Sequence, residues 1–359
     1  MSQRSPSAAL ARVVAALAAS ASLALLAVPA RSADKPEPSA LSAQDTSFKA
    51  SEQATRMFSV AEAKALKGVT KVAVPLFSVE FVTADAQRAE TSGFAAAGRA
   101  SATMAYTLKG VDEADFQAIT TTLYERFLAD LKAAGMEVLS HEQVAASPSY
   151  KKLAASGVAS PIKSDSAITT APPGMPIYGM NKAQTGGTSS GASLFGAFAQ
   201  MGAGFGAVSA GMDTFTLQQE LGAAVIGVQM KVIFVQLTNN NKGFLGRMSS
   251  TASVSSTVQP TVATATFSVM SASGGMVSLA QPLALDAAAF SAVRKKESST
   301  GEKVGLVAVA VLGALIGSGS TSSRDDWEAV ADPVKYREVV AGGLSTVTQM
   351  FVQRLKAGE

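Results

Sequence analysis

The order strand, loop, long helix, strand between Lys71 and Leu139 constrains this fold more than any other feature of the chain. Lys71-Val-Ala-Val-Pro-Leu-Phe-Ser-Val-Glu-Phe81 is rich in branched and aromatic residues, the composition of a strand. Pro75 lacks a backbone donor, so it predicts an edge position, a bulge or a break within that strand. A stretch rich in Ala, Ser and Gly follows to about Lys109 and reads as a loop. Asp112 is then an N-cap candidate, with acids in the first turn where the helix dipole favours them. Phe116, Ile119, Leu123, Phe127, Leu131 and Ala134 recur at three- and four-residue steps and give one buried face. Gly135 stops the helix and Met136-Glu-Val-Leu139 resumes as a strand. The expected class is α/β (α+β): a mixed β-sheet flanked by helices, with apolar Gly/Ala-rich insertions.

The remainder of the chain carries comparable signals. Val228 to Leu237 reads as a strand, and Asn239-Asn-Asn-Lys-Gly243 as a turn. Thr261–Val269 and Met276–Leu279 flank Ser271-Ala-Ser-Gly-Gly275, a hairpin pattern. Asp332 caps a closing helix with Pro333 at its first position, and Tyr336, Val340, Leu344, Val347, Phe351 and Leu355 form its apolar face. Gly342-Gly343 weakens that helix locally. Residues 154–190, with four prolines and many Gly, Ser and Thr, read as one long irregular loop.

The amino terminus reads as an export leader. Arg4 and Arg12 precede an uncharged run from Val13 to Val28, and Val28-Pro-Ala30 offers a small-residue cleavage site. The run is shorter than the ~20 residues of a spanning helix. The expected organisation is a signal peptide over 1–30, a flexible linker over 31–56 and a single α/β domain over 57–359. The chain has no cysteine, so an exported form uses no disulfide and cannot carry a cysteine-linked lipid anchor. The expected location is the periplasm or outer membrane, without lipoprotein modification.

Composition narrows the chemistry. Hydrophobic residues make up 47% of the chain and charged residues 16%, enough for a sizeable core. Without Arg4 and Arg12, 28 basic residues face 27 acidic ones, and this balance gives no argument for nucleic acid. One histidine, His141, excludes a multi-histidine metal site. Gly202-Ala-Gly-Phe-Gly-Ala207 matches the dinucleotide fingerprint only formally, because no branched run precedes it. Ser209 in Ala207-Val-Ser-Ala-Gly211 is a near miss for a hydrolase elbow, and His141 lies on the wrong side of it in chain order. Asp325 and Asp326 read less as paired carboxylates than as part of a capping box with Ser323, opening a short helix. No catalytic residue, metal or cofactor is expected.

Two small-residue lines remain. Gly191 to Met212 carries no charge, and Phe198, Met201, Phe205, Val208 and Met212 form a stripe at helical spacing beside Gly202, Gly206 and Ala210. Val304 to Gly317 carries Ala310, Gly313 and Gly317. Each line fits tight helix packing within a core, or contact with a membrane or sister protomers. These six small residues are the candidate interaction surface.

The strand Lys71-Val-Ala-Val-Pro-Leu-Phe77, the helix Asp112–Ala134 and Gly135-Met-Glu-Val-Leu139 together resemble the opening of a periplasmic α/β fold. That fold occurs in the curli secretion-channel family and in the amino-terminal domain of the Tol–Pal propeller protein. The shared elements are a "KVAVLPF"-like strand, a helix ending near "L…AG" and a "VLxR"-like strand, here Val138-Leu-Ser-His141. The resemblance implies a sheet with helices packed on it and a role in outer-membrane assembly, secretion or envelope integrity. The chain departs from the curli channel in two ways: there is no cysteine for a lipid anchor, and neither glycine-rich segment alternates polar with apolar. The expectation is a non-enzymatic envelope protein whose partners are envelope proteins or its own copies, with possible membrane contact. The alternative is a soluble periplasmic module that holds a ligand or peptide under the 154–190 segment.

Overall fold

The computed structural model describes residues 49–91, 99–178, 205–241, 251–296, 306–307, 315–319 and 322–358. The leader and most of the expected linker lie outside these residues. The chain opens with α1 (Ala50–Met57), β1 (Phe58–Ala61), a 3-10 turn (Ala63–Leu66), β2 (Lys71–Val82), β3 (Ala84–Glu90) and β4 (Ser101–Lys109). Then come α2 (Glu113–Ala133), β5 (Glu137–Val138), α3 (His141–Ala146), α4 (Pro148–Ala155), β6 (Ile162–Lys163) and β7 (Ala167–Thr170). Next are α5 (Phe205–Leu221), β8 (Ala224–Asn239), β9 (Ala252–Met270), β10 (Gly274–Leu279) and β11 (Leu283–Ala284). Finally β12 (Phe290–Lys295), β13 (Leu306–Val307), β14 (Leu315–Gly319) and β15 (Ser322–Ala331) lead to α6 (Pro333–Ala357). The class is α/β with open mixed sheets, as the residue pattern predicts.

The large sheet runs β1-β10-β9-β8-β2-β7-β6, with β5 beside β2 and β11 and β14 beside β9. β2 and β8 are parallel, whereas β8–β9 and β9–β10 are antiparallel. Pro75 therefore sits in an interior strand. The β2–β8 register slips between Ala73 and Leu76, so the missing donor is absorbed by a bulge and neither the edge nor the break is needed.

Two helices cover one face of this sheet. The Asp112 carboxylate accepts from the Ala114 and Asp115 N–H groups, and the Asp115 carboxylate accepts from the Asp112 N–H, closing a capping box. Asp332 accepts from the N–H groups of Val334 and Lys335 and starts α6 in the same way. The apolar faces read from the spacing are the buried ones: Phe116, Ile119, Leu123, Phe127 and Leu131 on α2, and Tyr336, Val340, Leu344, Val347, Phe351 and Leu355 on α6. Phe267 of β9 stacks on Phe351 with ring centroids 4.1 Å apart, and Phe81 of β2 stacks on Phe116 at 4.5 Å. A smaller cluster on other elements joins Ala73, Leu76 and Val225 to Leu139, Tyr150, Tyr178 and Leu217.

A second sheet runs β13-β12-β15-β4-β3. Its central pair, β4 and β15, is parallel and sets Tyr106 opposite Trp327. The Tyr106 hydroxyl shares a 2.8 Å hydrogen bond with the Ser256 hydroxyl of β9, tying this sheet to the distal half of the large one.

Four expectations need revision. Ordered structure begins inside the expected linker, because Ala54 and Met57 of α1 are buried and hold that turn to the core. The small-residue stretch before Lys109 is a hairpin, β3 with β4, whose inner side is Ala89, Ala102, Met104, Tyr106 and Leu108. Small residues conceal a period of two from a reader seeking branched ones. The loop expected over 154–190 is structured as far as Tyr178: β6 and β7 pair antiparallel, β7 adds to β2, and Val158 bridges Ile177. Ser323–Asp326 belongs to β15 and not to a helix start, because pairing with β4 supplies the backbone partners a cap would otherwise provide.

Candidate functional site

Of the six small residues, Gly202, Ala310 and Gly313 lie outside the described residues. Gly317 lies in β14, registered opposite Val254 of β9. A helical line through Gly317 is therefore excluded: Leu315–Gly319 pairs as a strand with β9. Gly206 and Ala210 lie on α5, which begins at Phe205 in the middle of the uncharged segment. Helical phase puts both on the side that carries Leu217, which is fully buried.

Elsewhere on α5 Met212 is 67% exposed and Phe215 41% exposed, although both are large and apolar. The helix is fixed at its carboxyl end by Glu220. Its carboxylate accepts from the Ser147 hydroxyl at 2.5 Å, the Ser149 hydroxyl at 2.6 Å and the Ser149 N–H at 3.2 Å. These hydrogen bonds favour the charged form and hold Glu220 below the usual carboxylate range. Ser147 is also the cap of α4, so one carboxylate locks the end of α5 to the start of α4.

A second feature crosses the large sheet. Thr169 of β7, Glu80 of β2 and Lys231 of β8 are register partners in one row. Glu80 is 2% exposed and Lys231 16%, and they form an ion pair at 3.2 Å. Burial pushes the Glu80 carboxyl above its ordinary range, and the Lys231 ammonium opposes that shift. The second Glu80 oxygen, Oε2, and the Thr169 hydroxyl are buried without a hydrogen-bond partner among the described residues. Ser78 and Gln229, two residues along the same strands, are buried register partners. The row can accept a hydrogen bond at Glu80 and exchange one at Thr169. Sequence reading passed over it, although Glu80 and Lys231 are charges set inside otherwise apolar strands, and such charges are seldom buried without a reason.

The catalytic readings lose their geometry. Ser209 lies within α5 and not on a strand-to-helix turn. His141 opens α3 behind the Ser140 cap, with its ring edge-on to Tyr150 at 5.9 Å. Asp325 pairs with Lys295 at 2.8 Å and Asp326 with Arg324 at 3.1 Å, so the adjacent carboxylates serve separate cations. Among the described residues no three His, Asp or Glu side chains group as a metal site, and no helix is long and apolar enough to cross a membrane. A shallow groove of about 320 Å³ beside α6 mixes Arg126, Glu338, Ser345 and Gln349 without converging on one chemistry. No protein-family model, curated protein or solved structure matches this chain.

Proposed function

We propose that the chain is a non-enzymatic exported protein of the bacterial envelope, periplasmic or outer-membrane-associated. It acts in outer-membrane assembly, secretion or envelope integrity through protein–protein or membrane contacts. One observation carries this reading: α5 is clamped to the domain by Leu217 and Glu220 while it holds Met212 and Phe215 out to solvent. Exposed large apolar side chains grouped on one anchored element mark an interaction surface. The leader-like residues 1–30 and the resemblance of the Lys71–Leu139 region support the compartment. Fractionation of cells with crosslinking tests it. The expected result is recovery in periplasm or outer membrane, without residues 1–30 and crosslinked to a partner. Recovery in the cytoplasm with Met1 to Ala30 attached overturns it.

A second reading, a soluble module binding a small ligand or peptide, draws on the unpartnered Glu80 Oε2 and Thr169 hydroxyl. Thr169 belongs to the 154–190 segment under which that ligand is expected. A thermal-shift screen of small polar molecules and peptides separates the two, since a bound ligand raises the melting temperature by mass action.

A further inference from the structure

The large sheet has a helix side and an opposite side, and the residues of the two differ in kind. Phe81 of β2 stacks on Phe116 of α2, and the Thr170 hydroxyl of β7 bonds the Thr120 hydroxyl of α2 at 2.6 Å. Their neighbours Glu80 and Thr169 therefore belong to the opposite side. Two rows cross it there: Thr169, Glu80, Lys231 and Thr264 in the first, Ser78 and Gln229 in the second. All six side chains are polar. Burial deepens along the first row. Thr264 is exposed, Lys231 is partly covered, and Glu80 and Thr169 are buried. The row thus opens to water at β9, and its deep end holds the orphaned Glu80 Oε2 and Thr169 hydroxyl. Register partners of an antiparallel pair have Cβ atoms about 4.5–5.5 Å apart, so one small molecule can meet both. Buried polar atoms are normally paired, and a row that served stability alone would be as well made of apolar side chains.

We infer that these rows bind a neutral polyhydroxyl compound, a sugar or sugar alcohol. One ligand hydroxyl donates to Glu80 Oε2 and an adjacent one bonds the Thr169 hydroxyl. The inference goes beyond the envelope reading, and it rests on the ligand-binding one, whose ligand it names by class. Charge selects the class. The orphaned carboxylate oxygen repels an anion, while the Lys231 ammonium, 3.2 Å from Glu80, already neutralises the site and repels a second cation. A neutral donor remains. Hydroxyl groups also suit Thr169, Ser78 and the Gln229 amide, which can each donate and accept. A peptide is the poorer occupant, because neither row offers an apolar neighbour to its side chains.

Calorimetric titration of the full chain tests this, with glucose, ribose and myo-inositol as probes and methylammonium, acetate and trialanine as controls. At least one of the three polyols is expected to bind at millimolar concentration, and the controls are expected to be silent. Thr169→Val and Glu80→Gln should each weaken that binding by about tenfold, the worth of one hydrogen bond. Thr169→Ser, which keeps the hydroxyl, should bind like wild type. Thr169→Val is nearly isosteric and removes an orphaned group, so its unliganded domain should melt no lower than wild type. A lower melting temperature with polyol binding intact makes the hydroxyl purely structural and overturns the inference. Polyol binding indifferent to both substitutions places the site elsewhere and also overturns it, while the ligand-binding reading stands. A control that binds, and is lost in Thr169→Val, shows the wrong ligand class and again leaves that reading in place. Silence from all six probes removes both.

Discussion

Helices α5 and α6 are both rich in apolar residues, yet they meet opposite fates. α6 buries Tyr336, Val340, Leu344, Val347, Phe351 and Leu355 against α2 and the large sheet. α5 keeps Leu217 inside and leaves Met212 and Phe215 outside. The difference lies in what faces each helix. Phe267 and Leu285 wait for α6, and a Cβ on Gly343 would stand only 2.2 Å from a Leu285 methyl. Among the described residues nothing comparable covers Met212 and Phe215, and α5 is held to the domain by Leu217 and the Glu220 carboxylate. Apolarity therefore makes a side chain available for burial, and the surrounding elements determine whether that burial occurs within one chain.

Substitutions can break this contrast, beginning with the largest effect. Phe351→Ala removes the ring stacked on Phe267 and should cost about 3–5 kcal/mol in chemical denaturation; a loss below about 1 kcal/mol would mean that α6 is no more embedded than α5. Lys231→Met strands the buried Glu80 carboxylate and should cost a similar ~3–5 kcal/mol, whereas Glu80→Met/Lys231→Met should return near wild type or exceed it. Gly343→Ala forces Leu285 to move and should cost about 1–3 kcal/mol. Gly342→Ala, whose new Cβ meets nothing within 4 Å, should gain about 0.5–1 kcal/mol by helix propensity. Met212→Gln and Phe215→Gln should change domain stability by no more than ~0.5 kcal/mol, because surface positions seldom matter more.

The two carboxylates sharpen the same comparison through pH. Glu80 has a raised folded pKa, so its contribution to stability is fully present below the ordinary glutamate value and lost as pH rises through the raised one. Glu80→Gln should therefore compare better with wild type at neutral pH than in acid. Glu220 has a lowered folded pKa, so its contribution is present above the ordinary value and lost as pH falls through the lowered one. Glu220→Gln should be weaker than wild type at neutral pH and converge with it in acid. Denaturation curves across this range, run on both variants, test the opposite signs.

Legibility followed the strength of local signals. The α2 and α6 caps and buried faces were readable because Asp112 and Asp332 precede long runs at helical spacing. The β9–β10 hairpin was readable because Ser271–Gly275 interrupts two β-rich runs. The β3–β4 hairpin was not, since Ala and Ser report burial weakly. β15 was misread because Ser323, Asp325 and Asp326 have turn and cap chemistry of their own, which pairing with β4 overrides. The Glu80–Lys231–Thr169 row joins residues from three separate strands, and no local pattern announces a register.

The residue order by itself determined the mixed α/β class and the two core helices. These follow from periodicity and capping, which act over a few neighbouring residues. Only the tertiary structure decided that Pro75 sits in a bulge of an interior strand, that Gly317 pairs in a sheet, and that Met212 and Phe215 face water. Each of those depends on which distant segment arrives alongside, and that is set by packing the whole core at once.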